Sequence, residues 1–354
     1  MKRLIYITIL SILLLSSCSK PSPAPAPAPE QYSRYIFFSQ GVLTKASLIE
    51  DVDDITGQDF GVIGFKYDSD WATYSATNPT PNVFYDDNGL TDVETVTVSA
   101  DGTTANYAPL QGWANTKKYA FFAFYPAGNP AVTLANPTDG SAYTGGVPAI
   151  RYTMDPTDLK GSMVDLMTAP AHIDQYWKSA TDNTVSGGEI DFEFTHCLSA
   201  LGLNLKNSSD CGITVNSVTF HLTGLQYQNI TIALDGSAKT SGGSSIDIDC
   251  DLPVEEGGIT VPSVTSDADG VEVADKLIFI PQDSALGFTV TVGYTRTLDT
   301  YETIETSFTT ASLSTALTEG KKHIVSLNFT DSTVDVGMTS GAWVDIPTVE
   351  DTFN

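Results

Sequence analysis

The stretch Lys118-Tyr-Ala-Phe-Phe-Ala-Phe-Tyr125 decides how the rest of the chain is read. Tyrosine and phenylalanine recur through it with a period of two, the spacing at which side chains leave a β-strand on alternate faces. The same alternation runs through Phe60-Gly-Val-Ile-Gly-Phe-Lys-Tyr67, Val93-Glu-Thr-Val-Thr-Val98, Ile190-Asp-Phe-Glu-Phe194 and Leu201-Gly-Leu-Asn-Leu205. It continues in Ile213-Thr-Val-Asn-Ser-Val-Thr-Phe220, Ile230-Thr-Ile-Ala-Leu234, Lys276-Leu-Ile-Phe-Ile280, Phe288-Thr-Val-Thr-Val292 and His323-Ile-Val-Ser-Leu-Asn-Phe329. Valine, threonine and aromatic residues fill these runs, while Gly, Pro, Asn and Asp separate them, and sustained helical periodicity is nearly absent. Many short strands so spaced predict an all-β chain of antiparallel sandwiches. A polar, glycine-containing stretch, Ser179 to Gly188, divides two sets of strands of similar length. The expected organisation is therefore an N-terminal β-sandwich over 34–183 and a C-terminal one over 184–354, each of ordinary domain size.

The residues before the first strand read as export and anchoring. Lys2 and Arg3 precede an apolar run, Leu4 to Leu15, which ends in Ser16-Ser17-Cys18. The run fits the core of a signal peptide, residues 1–17, and is too short for a comfortable membrane span. Leu-Ser-Ser-Cys resembles the lipobox of bacterial lipoproteins, which implies cleavage before Cys18 and acylation of that residue. Residues 18–33 read as a tether: alternating proline favours an extended polyproline rod that rises about 3.1 Å per residue, so residues 20–30 would hold the folded part roughly 30 Å from the lipid.

Composition narrows the function. With 43 acidic against 17 basic residues the net charge is −26, and losing Lys2 and Arg3 deepens it to about −28. Such a surface repels nucleic acid and anionic lipid. A hydrophobic fraction of 41% with 10% aromatic residues suits a folded chain. Once Cys18 is acylated, Cys197, Cys211 and Cys250 remain, an odd number that allows at most one bridge and a spacing that matches no zinc motif. They read as small buried hydrophobes. His172, His196, His221 and His323 are scattered, and no nucleophile elbow or phosphate-binding glycine loop is present, so neither catalysis nor a cofactor is expected. Asp247, Asp249 and Asp251 share a strand face; calcium would need more oxygen ligands than these supply, and they are expected to face water.

Several segments, in order, resemble the fimbrillin family, the subunits of type V pili made by gut and oral anaerobes. Thr44-Lys45-Ala46 after Ile36-Phe37-Phe38 is similar to the family's Thr-Arg/Lys-small segment. Trp113 with the aromatic strand ending in Tyr125-Pro126 resembles its tryptophan and Tyr-Pro strand. Asp165-Leu-Met167, then Phe192-Glu-Phe-Thr-His196-Cys-Leu-Ser199, resembles its Asp-Leu-Met and Phe-x-Phe-x-His-x-Leu-Ser pair, and Leu317-Thr-Glu-Gly320 followed by Phe329 and Trp343 its C-terminal pattern. On alternation alone Phe192 and Phe194 face a core, and His196 reads as a hydrogen-bonded residue at a strand end.

The resemblance implies transthyretin-like sandwiches and a structural role. It implies an outer-membrane lipoprotein precursor, held by lipid on Cys18, and a mature form in surface fimbriae. A trypsin-like maturation protease would cut between Lys45 and Ala46, with Arg34–Tyr35 as the lesser alternative; many family members carry arginine where this chain has Lys45. Cutting after Lys45 would free the apolar stretch 35–43, and a neighbour's C-terminal tail would replace it by strand addition. In this chain the donor tail would span 333–354, with Val334, Val336, Trp343, Val344 and Ile346 as its apolar residues. The partners so implied are other pilus subunits, in a homo- or heteropolymer, and a host or bacterial surface receptor. The competing class is a non-polymerising surface adhesin or glycan-binding module, for which Trp71, Trp113, Trp177 and Trp343 would have to be exposed as stacking platforms. The anchoring expectation is checked by Cys18→Ala, which should release the precursor from the membrane fraction or leave it unprocessed.

Overall fold

The computed structural model describes residues 35–40, 58–86, 89–99, 105–178, 188–252, 254, 257–263, 270–273, 276–297, 303–309, 313–331 and 333–342. The only helices among them are the short turns Trp71–Ser75 and Leu159–Ser162, and strands dominate the rest. From Ile36 onward these residues belong to one compact unit.

Lys118–Tyr125 is the hinge of the arrangement, and its surroundings differ from a half-buried strand. Tyr119, Phe121 and Ala123 point into one apolar cluster, with Phe38, Phe60, Phe84, Trp113, Phe192 and Phe194. Ala120, Phe122 and Phe124 point the other way, into a second cluster that includes Phe65, Trp71, Ile150, Tyr152 and most C-terminal strands. Both faces are buried because the sheet is a wall between two cores. Its partner Asp59–Tyr67 pairs antiparallel with it from Gly61–Phe124 to Tyr67–Lys118. Two glycines on that partner make room for rings: a Cβ on Gly61 would lie 2.6 Å from Phe124, and one on Gly64 2.6 Å from Phe84.

The wall belongs to a nine-stranded sheet. Its order is Glu189–Phe192, Phe37–Gln40, Ala105–Asn106, Glu94–Val98, Asp59–Tyr67, Lys118–Tyr125, Met167–Thr168 and Thr195–His196, with His172–Gln175 also on Lys118–Tyr125. The first and last of these strands are separated in sequence by Glu193 and Phe194 alone. Two residues span only about 11 Å between flanking Cα atoms. The sheet must therefore curl until its ends meet, enclosing the first cluster.

The C-terminal strands form two further sheets. One has Ile246–Leu252, Gly212–Leu225, Leu286–Thr297 and Thr303–Thr309 in order. The other has Val271–Glu272, Ser199–Asn207, Lys321–Phe329 and Val334–Ala342. Leu201, Leu203, Leu205, Val325 and Leu327 from the second and Val218, Phe220, Val290 and Val292 from the first fill the same core, as sandwich sheets do. Buried positions along Gly212–Leu225 shift from odd (Ile213, Val215) to even (Val218, Phe220, Leu222), because a bulge at Asn216 inserts one unpaired residue. Among the described strands pairing is antiparallel except for two ladders, Phe37–Gln40 with Glu189–Phe192 and Ser199–Asn207 with Lys321–Phe329.

The boundary expected at 183/184 falls among residues outside this description. Strands from both sides of it share sheets: Glu189–Phe192 lies beside Phe37–Gln40, and Asn229–Ala233 pairs with Ala149–Thr153. Trp113 and the run 119–124 are buried, and Tyr125 is partly buried. Phe122 is fully enclosed, so Phe122→Ala should cost about 3–5 kcal/mol of unfolding free energy, measured by chemical denaturation.

Candidate functional site

Phe37–Gln40 occupies an interior seat of the curled sheet. On one side Phe37 to Gln40 pair in parallel with Glu189 to Phe192; on the other Phe38 pairs with Ala105. The strand's alternation sets its anchors: Ile36 is 0% and Phe38 1% exposed, while Phe37 between them is 39% exposed. Four rings surround Phe38, with centroids at 5.4 Å for Tyr107, 5.6 Å for Phe121, 5.6 Å for Phe192 and 6.2 Å for Phe84. The Phe192 ring is stacked on it and the Phe121 ring meets it edge-on, arrangements favoured by the aromatic quadrupole.

The backbone of Ile36 is gripped at both ends. Its N–H donates to Gln111 O at 2.9 Å, and its carbonyl accepts from the Tyr107 hydroxyl at 2.9 Å. That hydroxyl in turn accepts from Gln111 N at 3.2 Å. Burial pushes the Tyr107 pKa up to about 12, so the donor stays protonated throughout the physiological range. The outer wall of the seat has its own brace. His172 Nε2–H donates to Asp191 O at 2.9 Å, and the His172 ring packs edge-on against Phe192 at 5.3 Å. Since His172–Gln175 pairs with Lys118–Tyr125, the wall strand is tied to the sheet independently of Phe37–Gln40.

The C-terminal end of the described chain is also a strand. Val334–Ala342 pairs antiparallel with Lys321–Phe329 over nine residues and forms the edge of its sheet. Val334 and Val336 are half-buried and pack on the core with Met338. Of the residues expected to carry processing and exchange, Cys18, Arg34, Lys45, Ala46, Trp343, Val344 and Ile346 lie outside the described residues. Tyr35 is half-exposed. The seat and the strand Val334–Ala342 lie in different sheets.

Other sequence candidates resolve into packing. His196 Nδ1–H donates to Asp165 Oδ1 at 2.6 Å, with both side chains nearly inaccessible, so two separate motif pieces are one buried pair. Asp247, Asp249 and Asp251 face solvent. Each engages the strand beside it: Asp247 accepts from Gly224 N at 2.7 Å, Asp249 from His221, and Asp251 from Thr219 Oγ1 at 2.6 Å. Cys197 and Cys250 are buried free thiols, pushed by burial up to about 11 and about 12. Trp71 and Trp113 are buried and Trp177 half-buried, so none of these three offers a fully open face; Trp343 is outside the described residues. Sequence reasoning missed the Tyr107–Gln111 grip and the His172 brace. Both depend on contacts between distant segments, and neither carries a motif.

The chain thus has a curled, two-core β-architecture with an N-terminal strand seated inside its sheet. Residues 56–343 match the fimbrillin-like family, and the chain belongs to it. That membership puts it among pilus- and adhesin-type surface proteins. A fimbrial protein from Bacteroides vulgatus, of known crystal structure, superposes with a TM-score of 0.60 at 18% identity, over 88% of this chain and 99% of its own. A Bacteroides uniformis structure described as a candidate cell adhesion protein gives a TM-score of 0.46 at 16% identity, over 90% and 100% of the two chains. No curated protein sequence matches at a significant level.

The Asp165–His196 pair makes a direct test of the packing around Met167–Thr168. His196→Ala would leave a buried carboxylate without this partner and should cost about 3–5 kcal/mol by denaturant titration. Replacing both residues with apolar side chains of similar volume should recover much of that loss.

Proposed function

We propose that the chain is a structural subunit of a bacterial surface fimbria, carried to the outer membrane as a lipoprotein on Cys18 and assembled by strand exchange. The observation that carries this reading is the seating of Phe37–Gln40 inside the sheet, with Ile36 and Phe38 as its only described buried anchors. Lys45 follows that strand by five residues, and Lys45 and Arg34 are the only basic residues between Lys20 and Lys66. A trypsin-like protease cutting after Lys45 would leave the strand held by noncovalent contacts alone. Its departure would uncover Phe84, Tyr107, Phe121 and Phe192 and leave backbone groups of Glu189–Phe192 and Ala105–Asn106 unpaired. An apolar slot with unpaired edges on both sides is a strong template for another strand.

The donor would be the C-terminal tail of a neighbouring subunit, and this chain's own 333–354 would serve the next. Within it, Val334–Ala342 is an edge strand held on one side only, an arrangement compatible with release. The high negative charge keeps such subunits apart until they join.

Lys45→Ala should yield monomers that retain the longer N-terminus, read from the mass of protein recovered at the cell surface. Deletion of 333–354 should yield cleaved subunits that fail to extend a fibre, and deletion of 343–354 alone is the milder control because it spares the Val334–Ala342 ladder. Fibres made of subunits still beginning at Cys18, or normal polymerisation of the tail-deleted chain, would refute the mechanism.

A further inference from the structure

The lining of the seat specifies what can fill it. Phe38 is 1% exposed and enclosed by four aromatic rings, two residues from an Ile36 that is 0% exposed. The seat therefore reads two adjacent inward positions of a strand, one aliphatic and one aromatic. An aliphatic side chain in the Phe38 site would forfeit ring contacts on several sides and leave a void, and a carboxylate in the Ile36 site would be buried without a designed partner.

The tail of this chain, residues 333–354, holds no such pair. Its two aromatic residues are Trp343 and Phe353. With Trp343 in the aromatic site, Gly341 or Asp345 falls in the aliphatic one; with Phe353 there, Asp351 does. The apolar pairs it does hold, Val334-x-Val336, Val336-x-Met338 and Val344-x-Ile346, put no ring in the aromatic site.

We propose that the vacated seat selects a strand bearing an aliphatic–x–aromatic pair from a different chain, and discriminates against the tail of a second copy of this one. The subunit then joins its seat-side neighbour as a heteromeric junction, while its own tail goes to a differently lined seat. This rests on the strand-exchange reading above. The main-chain grip by Gln111 and Tyr107 supplies affinity common to any strand, and the two side-chain sites supply the choice.

The test uses the full chain without its signal peptide, with a site-specific protease sequence substituted at 44–47 and cut so that the first strand stays bound without a covalent link. Displacement of that strand is followed to equilibrium with four synthetic peptides: residues 35–43, the same with Phe38→Ala, the same with Ile36→Ala, and residues 333–354 of this chain. The expected result is displacement by the 35–43 peptide, a loss of about 100-fold or more in affinity for Phe38→Ala, and a similarly large deficit for 333–354. Equal affinity of the 333–354 peptide or of the Phe38→Ala peptide overturns the selectivity while leaving strand exchange standing. If no peptide displaces the cut strand, the exchange reading itself falls, and the selectivity with it.

Discussion

A β-strand buried on one face needs one core, but Lys118–Tyr125 carries apolar side chains on both, and the molecule is organised around that demand. Tyr119 and Phe121 must be covered on one side, Phe122 and Phe124 on the other. Covering the first pair takes a sheet that curls back on itself; covering the second takes the C-terminal sandwich. The strand is thus the shared wall of two cores, and the sheets on either side cannot be laid out independently. This explains why strands from distant parts of the chain interleave. Ala149–Thr153 and Asn229–Ala233 pair beside the second core, and Glu189–Phe192 closes the first.

Curling has a consequence for the N-terminal strand. Here the ends of the sheet approach each other, and Phe37–Gln40 lies between a partner 152 residues later and one about 67 residues later. Its anchors reach the middle of an aromatic cluster, yet the described ladder is four residues long and meets its other neighbour at one position. Side-chain burial, more than backbone pairing, holds it. The brace from His172 to Asp191 supports the far wall without it, so the seat has a shape of its own.

The buried polar groups follow the same economy. Asp165 and His196 are hydrogen-bonded to one another where the last strand of the curled sheet, Thr195–His196, docks on Met167–Thr168. The Tyr107 hydroxyl both accepts and donates, linking the loop at Gln111 to the first strand. Buried polar atoms that are paired in this way fix register at places where apolar packing alone would tolerate a slip.

The sequence by itself determined that this chain is built of strands, because a period of two in Phe, Tyr, Val and Thr admits no helical solution. It also carried the burial of Phe192, Phe194 and the run from Tyr119, and the solvent-facing aspartates at 247, 249 and 251. The matching segments from Ile36 to Trp343 carried the family resemblance. Tertiary structure alone decided which strands are neighbours. Backbone hydrogen bonds are the same for every residue, so a four-residue strand such as Phe37–Gln40 bears no mark of pairing with Glu189–Phe192, nor Ser199–Asn207 of running parallel to Lys321–Phe329. It likewise decided that the polar stretch before Gly188 does not part the sheets, because the two faces of one apolar strand had to be covered from both halves of the chain.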